Sequence, residues 1–358
     1  MAGRRPLSRR SVLRTAGALA AGEAVVAPGT ARAEARRARG ATLHLLGTAG
    51  GPPPVVGRRG ISSALVINGR TYLVDLGYGS YEQFHLAGLA GPSLAGVFVT
   101  HLHSDHLADL FQLFWLRAGG PKPLAAGVPV WGPGPAGALP PVDRDVPVIS
   151  PGAPAPGLTA FVDHNIRAAA YDLNIRIRDE GFPDIHRILL PREIALPPVG
   201  ASATARRCPR MEPFPVMENG DCRVTATLVD HPPVFPSFAY RFDTDHGSVV
   251  FSGDTTVNDN LIRLARNADI LVHEVISLEW MARQGFPETL RAHLKRSHTD
   301  VNLVGTVAER AGAHRLVLNH LVPGEPAVVG DQEWRLRAAR GYSGEVVVGR
   351  DLMAVPLG

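Results

Sequence analysis

From residue 41 onward, short apolar runs alternate with turn residues, and the length and period of each run predict its element. "TLHLLG", "SALVI" and "TYLVDLG" read as strands, being short, apolar and bounded by Gly, Pro or Asn. Asn68-Gly69, between the last two, predicts a tight hairpin turn, because both residues tolerate the positive φ that a two-residue loop requires. "SYEQFHLAGL" reads as a helix, and "AGVFVT" as a buried strand. "HLADLFQLFWLRAG" continues as a helix ended by Gly119-Gly120, and "PVWGP" is another short strand.

Residues 133–222 change character. "GPGPAGALPPVDRDVPVISPGAPAPG" is too rich in Pro and Gly for regular structure. "LTAFVDHNIRAAAYDLNIRIRDEGFPDIHRI" predicts a helix with an extension, after which Pro and Cys return. The region reads as an insertion or arm rising from the core, not as a separate domain. Strand signals then resume in "CRVTATLVDH", "SFAYRFD" and "GSVVFSGD", the last two joined by the turn "TDHG". Helices and strands alternate from there: "NDNLIRLARNA", "DILVHEV", "TDVNLVGTVAERAG" capped by Thr299 or Asp300, "HRLVLNH", "DQEWRLRAARGY", and "GEVVVG" as the last strand. Hairpins in each half with alternating helices later predict an α/β protein, a sandwich of two mixed sheets covered by helices, over residues 41–355.

The first 33 residues read differently. A basic start, a mild apolar stretch interrupted by Glu23, and the small-residue site Ala31-Arg32-Ala33 form a signal-peptide pattern. Arg9 and Arg10 in "SRRSVLR" resemble a twin-arginine export signal, which implies passage through the twin-arginine translocon to the periplasm or beyond. The stretch is too short and too polar for a membrane anchor. It also accounts for the charge: six arginines and one glutamate contribute +5 of the formal +4, so the remainder sits near −1. That removes most of the case for nucleic acid that a basic chain would make. Cys208 and Cys222 have no metal-binding spacing; a disulfide and two free thiols both fit their separation.

The chemistry is concentrated in "THLHSDH". His101 and His103 lie two apart at a strand end, where they can project to one side and share an ion, and Asp105 and His106 follow on the turn within reach of a second. Three further candidates each close an apolar run: His231 after "TATLVD", Asp254 after "VVFSG" and His320 after "LVLN". A carboxylate can bridge two cations, which suits Asp254. One metal would take His101, His103, His231 and Asp254; the other would take Asp105, His106, Asp254 and His320. Two such divalent ions can hold a bridging hydroxide as nucleophile and polarise the substrate.

The order HxHxDH, then a histidine, then "SGD", then a strand-end histidine resembles the metallo-β-lactamase fold superfamily, across roughly residues 41–350. The resemblance implies a four-layer αββα sandwich with a dinuclear site, usually zinc, at one edge of the sheets, and often a homodimer. It also implies that Asp75 in "YLVDLG" orients a ligand histidine. Within the superfamily, "SGDTT", "DILVHE" and "SHTD" are most similar to the tRNase Z and arylsulfatase branch. There, a Glu and a His at the places of Glu274 and His298 handle the leaving-group proton, so Asp105, Glu274 and His298 form the expected catalytic set.

The chain departs from the tRNase Z pattern in reading "HEVI" and "HTD" where "HEAT" and "HST" are usual, and no long basic arm is visible. With the export signal, this leads to an expected function as an exported dinuclear hydrolase of small phosphate or sulfate esters. Phe161, Tyr171 and Phe182 in the arm are expected to roof the site. The alternatives are a tRNase Z-type phosphodiesterase and a lactonase- or β-lactamase-type hydrolase.

Overall fold

A computed structural model describes residues 40–357, apart from 90, 120–122 and 125–126. The expected export signal at residues 1–33 lies outside the described residues. The strands are β1 (Ala41–Gly47), β2 (Ser62–Ile67), β3 (Arg70–Val74), β4 (Leu94–Phe98), β5 (Val128–Pro133), β6 (Leu189–Ile194), β7 (Phe214–Glu218), β8 (Cys222–Leu228), β9 (Phe238–Thr244), β10 (Gly247–Phe251), β11 (Ile270–Ile276), β12 (Arg315–Val322), β13 (Glu345–Val348) and β14 (Met353–Leu357). They form two seven-stranded sheets, ordered β14-β1-β2-β3-β4-β5-β6 and β13-β12-β11-β10-β9-β8-β7. In the first, pairing is antiparallel from β14 to β3 and parallel from β3 to β6. In the second, it is parallel from β13 to β10 and antiparallel from β10 to β7.

Three apolar layers hold the fold, and three layers need four walls. The central layer lies between the sheets and contains Leu43, Tyr72, Phe98, Tyr240 and Phe242. The outer face of the first sheet, with Val97 and Val130, packs on Phe84, Phe111 and Phe114 from helices α1 (Ser80–Leu86), α2 (Ser104–Leu107) and α3 (Leu110–Arg117), and on Leu158 and Val162 from α4 (Leu158–Ala168). Next come α5 (Ala170–Asp179), α6 (Asp259–Leu264), α7 (Leu278–Ala282), α8 (Glu288–Ser297), α9 (Val301–Ala311) and α10 (Asp331–Ala338). Leu261 of α6, Val304 and Val307 of α9 and Trp334 of α10 cover the outer face of the second sheet. The result is the αββα sandwich that the sequence pattern and resemblance led to expect. Among the described residues no helix is long and apolar enough to cross a membrane.

Local signals translate into local geometry. Asn68 and Gly69 take φ values of 49° and 83°, giving the mirror-image turn that matches strand twist. Asp300 caps α9, its side chain accepting from the Asn302 amide at 2.9 Å, and Gly312 ends it in the left-handed region. The helix expected over residues 106–119 is two helices, parted at Ala108–Asp109, where the Asp109 carboxylate takes the Tyr81 amide at 2.9 Å. The helix expected in the 158–188 stretch likewise divides at Ala169. Within residues 133–222, β6 and β7 complete the far edge of each sheet. "GEVVVG" is not the last strand; β14 follows it and pairs antiparallel with β1, and its Pro356 is tolerated because β14 is an edge strand. Cys208 and Cys222 are free thiols, and burial pushes both up to about 12.

Phe98 joins the sheets at the centre. Its ring stacks on Trp131 at 4.7 Å and meets Tyr240 and Phe242 edge-on at 5.4 and 5.0 Å. Phe98→Ala is expected to cost about 3–5 kcal/mol of stability, as a cavity in a core without freedom to collapse does. Urea unfolding checks this, and a loss below about 1 kcal/mol would mean that the inter-sheet layer is not close-packed there.

Candidate metal centre

The site gathers where strands end. β4 runs out at Phe98 and delivers His101 and His103 to its C-terminal edge, while α2 begins at Ser104 and presents Asp105 and His106 from its first turn. His231 follows β8, Asp254 follows β10, and Glu274 lies near the end of β11. His320 is delivered differently. Glu274 pairs with Asn319 and Val275 with Leu321, so His320 is the extra residue of a bulge in β12, with φ 45°. A bulge re-aims a side chain at the cost of a strained backbone, a device common beside active sites. The loop around Gly50 must then pass close by: a Cβ there would sit 2.4 Å from His320 Nδ1.

These residues converge as two clusters sharing one carboxylate, His101/His103/His231/Asp254 and Asp105/His106/Asp254/His320. Asp254 Oδ2 lies 3.3 Å from His320 Nε2, 3.4 Å from His106 Nε2, 3.8 Å from His101 Nε2 and 3.9 Å from His231 Nε2. Asp105 Oδ2 lies 3.4 Å from His320 Nε2 and accepts the Gly51 amide at 3.1 Å. All but His103 are buried.

The far side of each ring decides what its near side can do. His106 Nδ1 donates to Asp75 at 2.8 Å, and Thr100 donates its hydroxyl to the same carboxylate at 2.8 Å. The Thr100 oxygen therefore accepts from His101 Nδ1 at 3.1 Å. His231 Nδ1 donates to the Ser297 carbonyl at 2.9 Å. Three rings thus carry their proton on Nδ1 and turn a lone pair on Nε2 inward, the arrangement a divalent ion requires. His101 Nε2, His106 Nε2 and Asp254 Oδ1 are buried yet have no hydrogen-bond partner among the described residues. Three adjacent orphaned atoms with inward lone pairs fit two divalent cations and little else.

The charges fit the same picture. Burial, with help from the neighbouring rings, holds His101 well below its usual value and pushes His231 down to about 3, so both stay neutral. At His106 burial also opposes the charge, but Asp254, Asp75 and Asp105 together outweigh it and raise the ring well above its usual value. Without cations, that ring is what neutralises the carboxylates. Asp254 stays ionised despite its burial, because His320 and His106 above all hold it well below the ordinary carboxylate range.

Beside the clusters, His298 Nδ1 lies 3.2 Å from Glu274 Oε1, and the same oxygen accepts the Thr255 and Thr299 amides at 3.1 Å each. Burial disfavours the charged His298 ring, but Glu274 above all, then Asp254 and Asp105, push it up to about 9. The site opens into a cavity of about 530 Å³ that Asp105, Asp254, His298 and His320 line on one side. Trp280 of α7 and Phe286, Leu290 and Leu294 wall the other.

Every metal and catalytic residue expected from the sequence is present in this constellation. The expected roof is not. Phe161 lines a cavity of about 550 Å³ that adjoins the metal-side one at Ser104 and holds no metal-cluster residue among the described residues, Tyr171 is 83% exposed, and Phe182 packs on Gly119 under the Arg176 guanidinium. The α7–α8 segment walls the site instead. Sequence reasoning also missed Thr100 and His293, whose ring centroid lies 6.1 Å from His231 and 6.2 Å from His298. His293 is spaced with Leu290, Leu294 and Ser297 on one face of α8, a periodic signal that would have placed it.

Residues 56–137, which include the HxHxDH segment, match the metallo-β-lactamase superfamily. A ribonuclease Z from Mycobacterium bovis (strain BCG / Pasteur 1173P2) is 30% identical over 321 residues, covering 87% of this chain and 97% of that protein. The chain belongs to the ribonuclease Z family of the metallo-β-lactamase superfamily. A ribonuclease Z from Mycobacterium avium (strain 104) is also 30% identical, over 318 residues with the same coverage. Among solved structures, the short form of human tRNase Z superposes with a TM-score of 0.58 at 19% identity, covering 88% of this chain and 99% of that one. The Bacillus subtilis metallo-β-lactamase fold protein YhfI does so at 0.56 and 20%, with the same coverage. Both confirm the fold. As a superfamily member with this constellation, the chain is a metal-dependent hydrolase.

If Asp75 sets the His106 tautomer, Asp75→Asn should weaken metal binding by about 10–100-fold, because Asp75 accepts the ring and the Thr100 hydroxyl on Oδ2 and the Thr100 amide on Oδ1, and an amide has only one accepting oxygen. Competition against a chromogenic chelator measures this; unchanged affinity would show that Asp75 serves only the fold.

Proposed function

We propose that the protein is a dinuclear zinc phosphodiesterase of the ribonuclease Z kind. The Glu274–His298 pair beside Asp254 carries this reading, since it lies within hydrogen-bonding distance at the mouth of the metal clusters. The named ribonucleases, similar over almost their whole length, favour the phosphodiester over the sulfate ester. Divalent cations bound in the two clusters supply Lewis acidity and a more acidic water.

The chain's own residues do the rest. Asp254, common to both clusters, would hold the two cations together, and Asp105 would anchor one of them. His298 lines the cavity and is held by Glu274 through Nδ1, which leaves Nε2 free of hydrogen bonds among the described residues. As the P–O bond breaks, that nitrogen gives its proton to the departing oxygen, and Glu274 stabilises the ring until it is reprotonated. The α7–α8 wall sheds water from the reacting centre, which strengthens each of these charge interactions. Residues 1–33 carry a separate proposal, export by the twin-arginine route. A mature N-terminus near residue 34 outside the cytoplasm supports it; an uncleaved chain inside overturns it.

His298→Ala should slow cleavage of a dinucleotide, whose alkoxide must be protonated, by about 10²–10⁴-fold. With bis(p-nitrophenyl) phosphate the loss should stay below about tenfold, since p-nitrophenolate departs unaided. Equal losses on both substrates would contradict a proton-donating His298.

A further inference from the structure

The cavity above the clusters is one half of a larger cleft. A second hollow of about 570 Å³ adjoins it, lined by His103, Arg144, Glu288, His293 and Arg296 among others. His103 and His293 line both hollows, so the two meet at the metal ligand His103. Their chemistry differs sharply. Among the described residues, no lysine or arginine lines the metal-side cavity, whose outer wall is Trp280, Phe286, Leu290 and Leu294. The neighbouring hollow has two guanidinium groups, Arg144 from the Pro/Gly-rich segment and Arg296 from the last turn of α8.

Neither arginine side chain makes a hydrogen bond or ion pair among the described residues. The one acid in that hollow, Glu288, is already bound by Arg291. Two unpaired guanidinium groups therefore face a hollow that opens onto the reacting centre. A neutral ester has no use for them. A guanidinium fork matches phosphate geometry, and a phosphodiester held at the clusters would extend any neighbouring phosphate into one of the adjoining hollows. Among the described residues only the hollow of Arg144 and Arg296 offers cations, because the cavity lined by Phe161, which meets the metal-side one at Ser104, has no lysine or arginine either.

Resting on the phosphodiesterase reading, we propose that the hollow between Arg144, His293 and Arg296 is a second-phosphate subsite, binding a phosphate one nucleoside away from the bond that is cut. The substrate is then oriented: its flat or apolar substituent lies against Trp280 and Phe286, and its next phosphate lies on the arginines. The class is a nucleotidyl phosphodiester with at least one more phosphate, not a small neutral-tailed ester. Each arginine is solvent-exposed, so each contact is modest, about three- to fivefold in affinity, and their sum sets the preference.

The test uses the zinc-loaded protein and the nitrophenyl ester of thymidine monophosphate, with and without a phosphate on the remaining sugar hydroxyl. Wild type should show a lower KM for the phosphate-bearing ester, and raised salt should erase the difference. In R144Q/R296Q the KM of that ester should rise about tenfold at unchanged kcat, while the plain ester keeps its KM within about twofold. Equal effects on the two esters, or none, would overturn the subsite. If neither ester is cleaved, the phosphodiesterase reading fails instead. Calorimetric titration of thymidine bisphosphate into wild type and R144Q/R296Q then judges the subsite alone: weaker binding to the variant supports it, and equal binding overturns it.

Discussion

The carboxylate of Asp254 is an anion buried among imidazoles, and the site is built around the problem that poses. Removing a carboxylate from water costs several kcal/mol even after the surroundings relax. Here its Oδ2 faces four ring nitrogens within 3.9 Å, and Oδ1 has no hydrogen-bond partner among the described residues. The neutral imidazoles of His101 and His231 cannot compensate a carboxylate; without cations a charged His106 ring does so, and cations between the rings would take its place. The sandwich supplies the framework, because strand ends from both sheets meet at one edge, β4 from the first and β8, β10 and β12 from the second. A ligand shell drawn from both sheets makes the site report on their packing, and Phe98, three residues before His101, is the point where that packing is tightest.

A second tier of contacts gives the ligands their chemistry. Asp75 and Thr100 fix two rings together, and the carbonyl of Ser297 fixes a third from the end of α8. The last of these joins the metal centre to the helix that carries His293 and Arg296 and leads into His298. The His231 ring, His298 and the cleft wall are therefore all tied to α8.

Much of this was legible in the sequence because the ligands are local or punctuated. HxHxDH is contiguous, and His231 and Asp254 each follow an apolar run that can only be a strand. The edge position of β14 and the bulge at His320 were not legible, since neither leaves a pattern in hydrophobic period. The wall of the site was misplaced for a physical reason. Phe161, Tyr171 and Phe182 are aromatic and lie in a segment of odd composition, but which hollow a side chain reaches depends on how α4 and α5 dock, and docking is set by long-range packing. Trp280 and Phe286 sit in a stretch that holds only a five-residue helix, too short for a periodic signal.

The most direct test of a shared carboxylate between two cation sites is the metal content of the purified protein. Wild type and Asp254→Asn are each loaded with zinc, passed into metal-free buffer and measured by elemental analysis. Wild type should retain close to two ions per chain, one for each cluster, and the variant one or fewer, because both clusters lose the same ligand. Retention of two ions by the variant, or of one alone by wild type, would contradict the account.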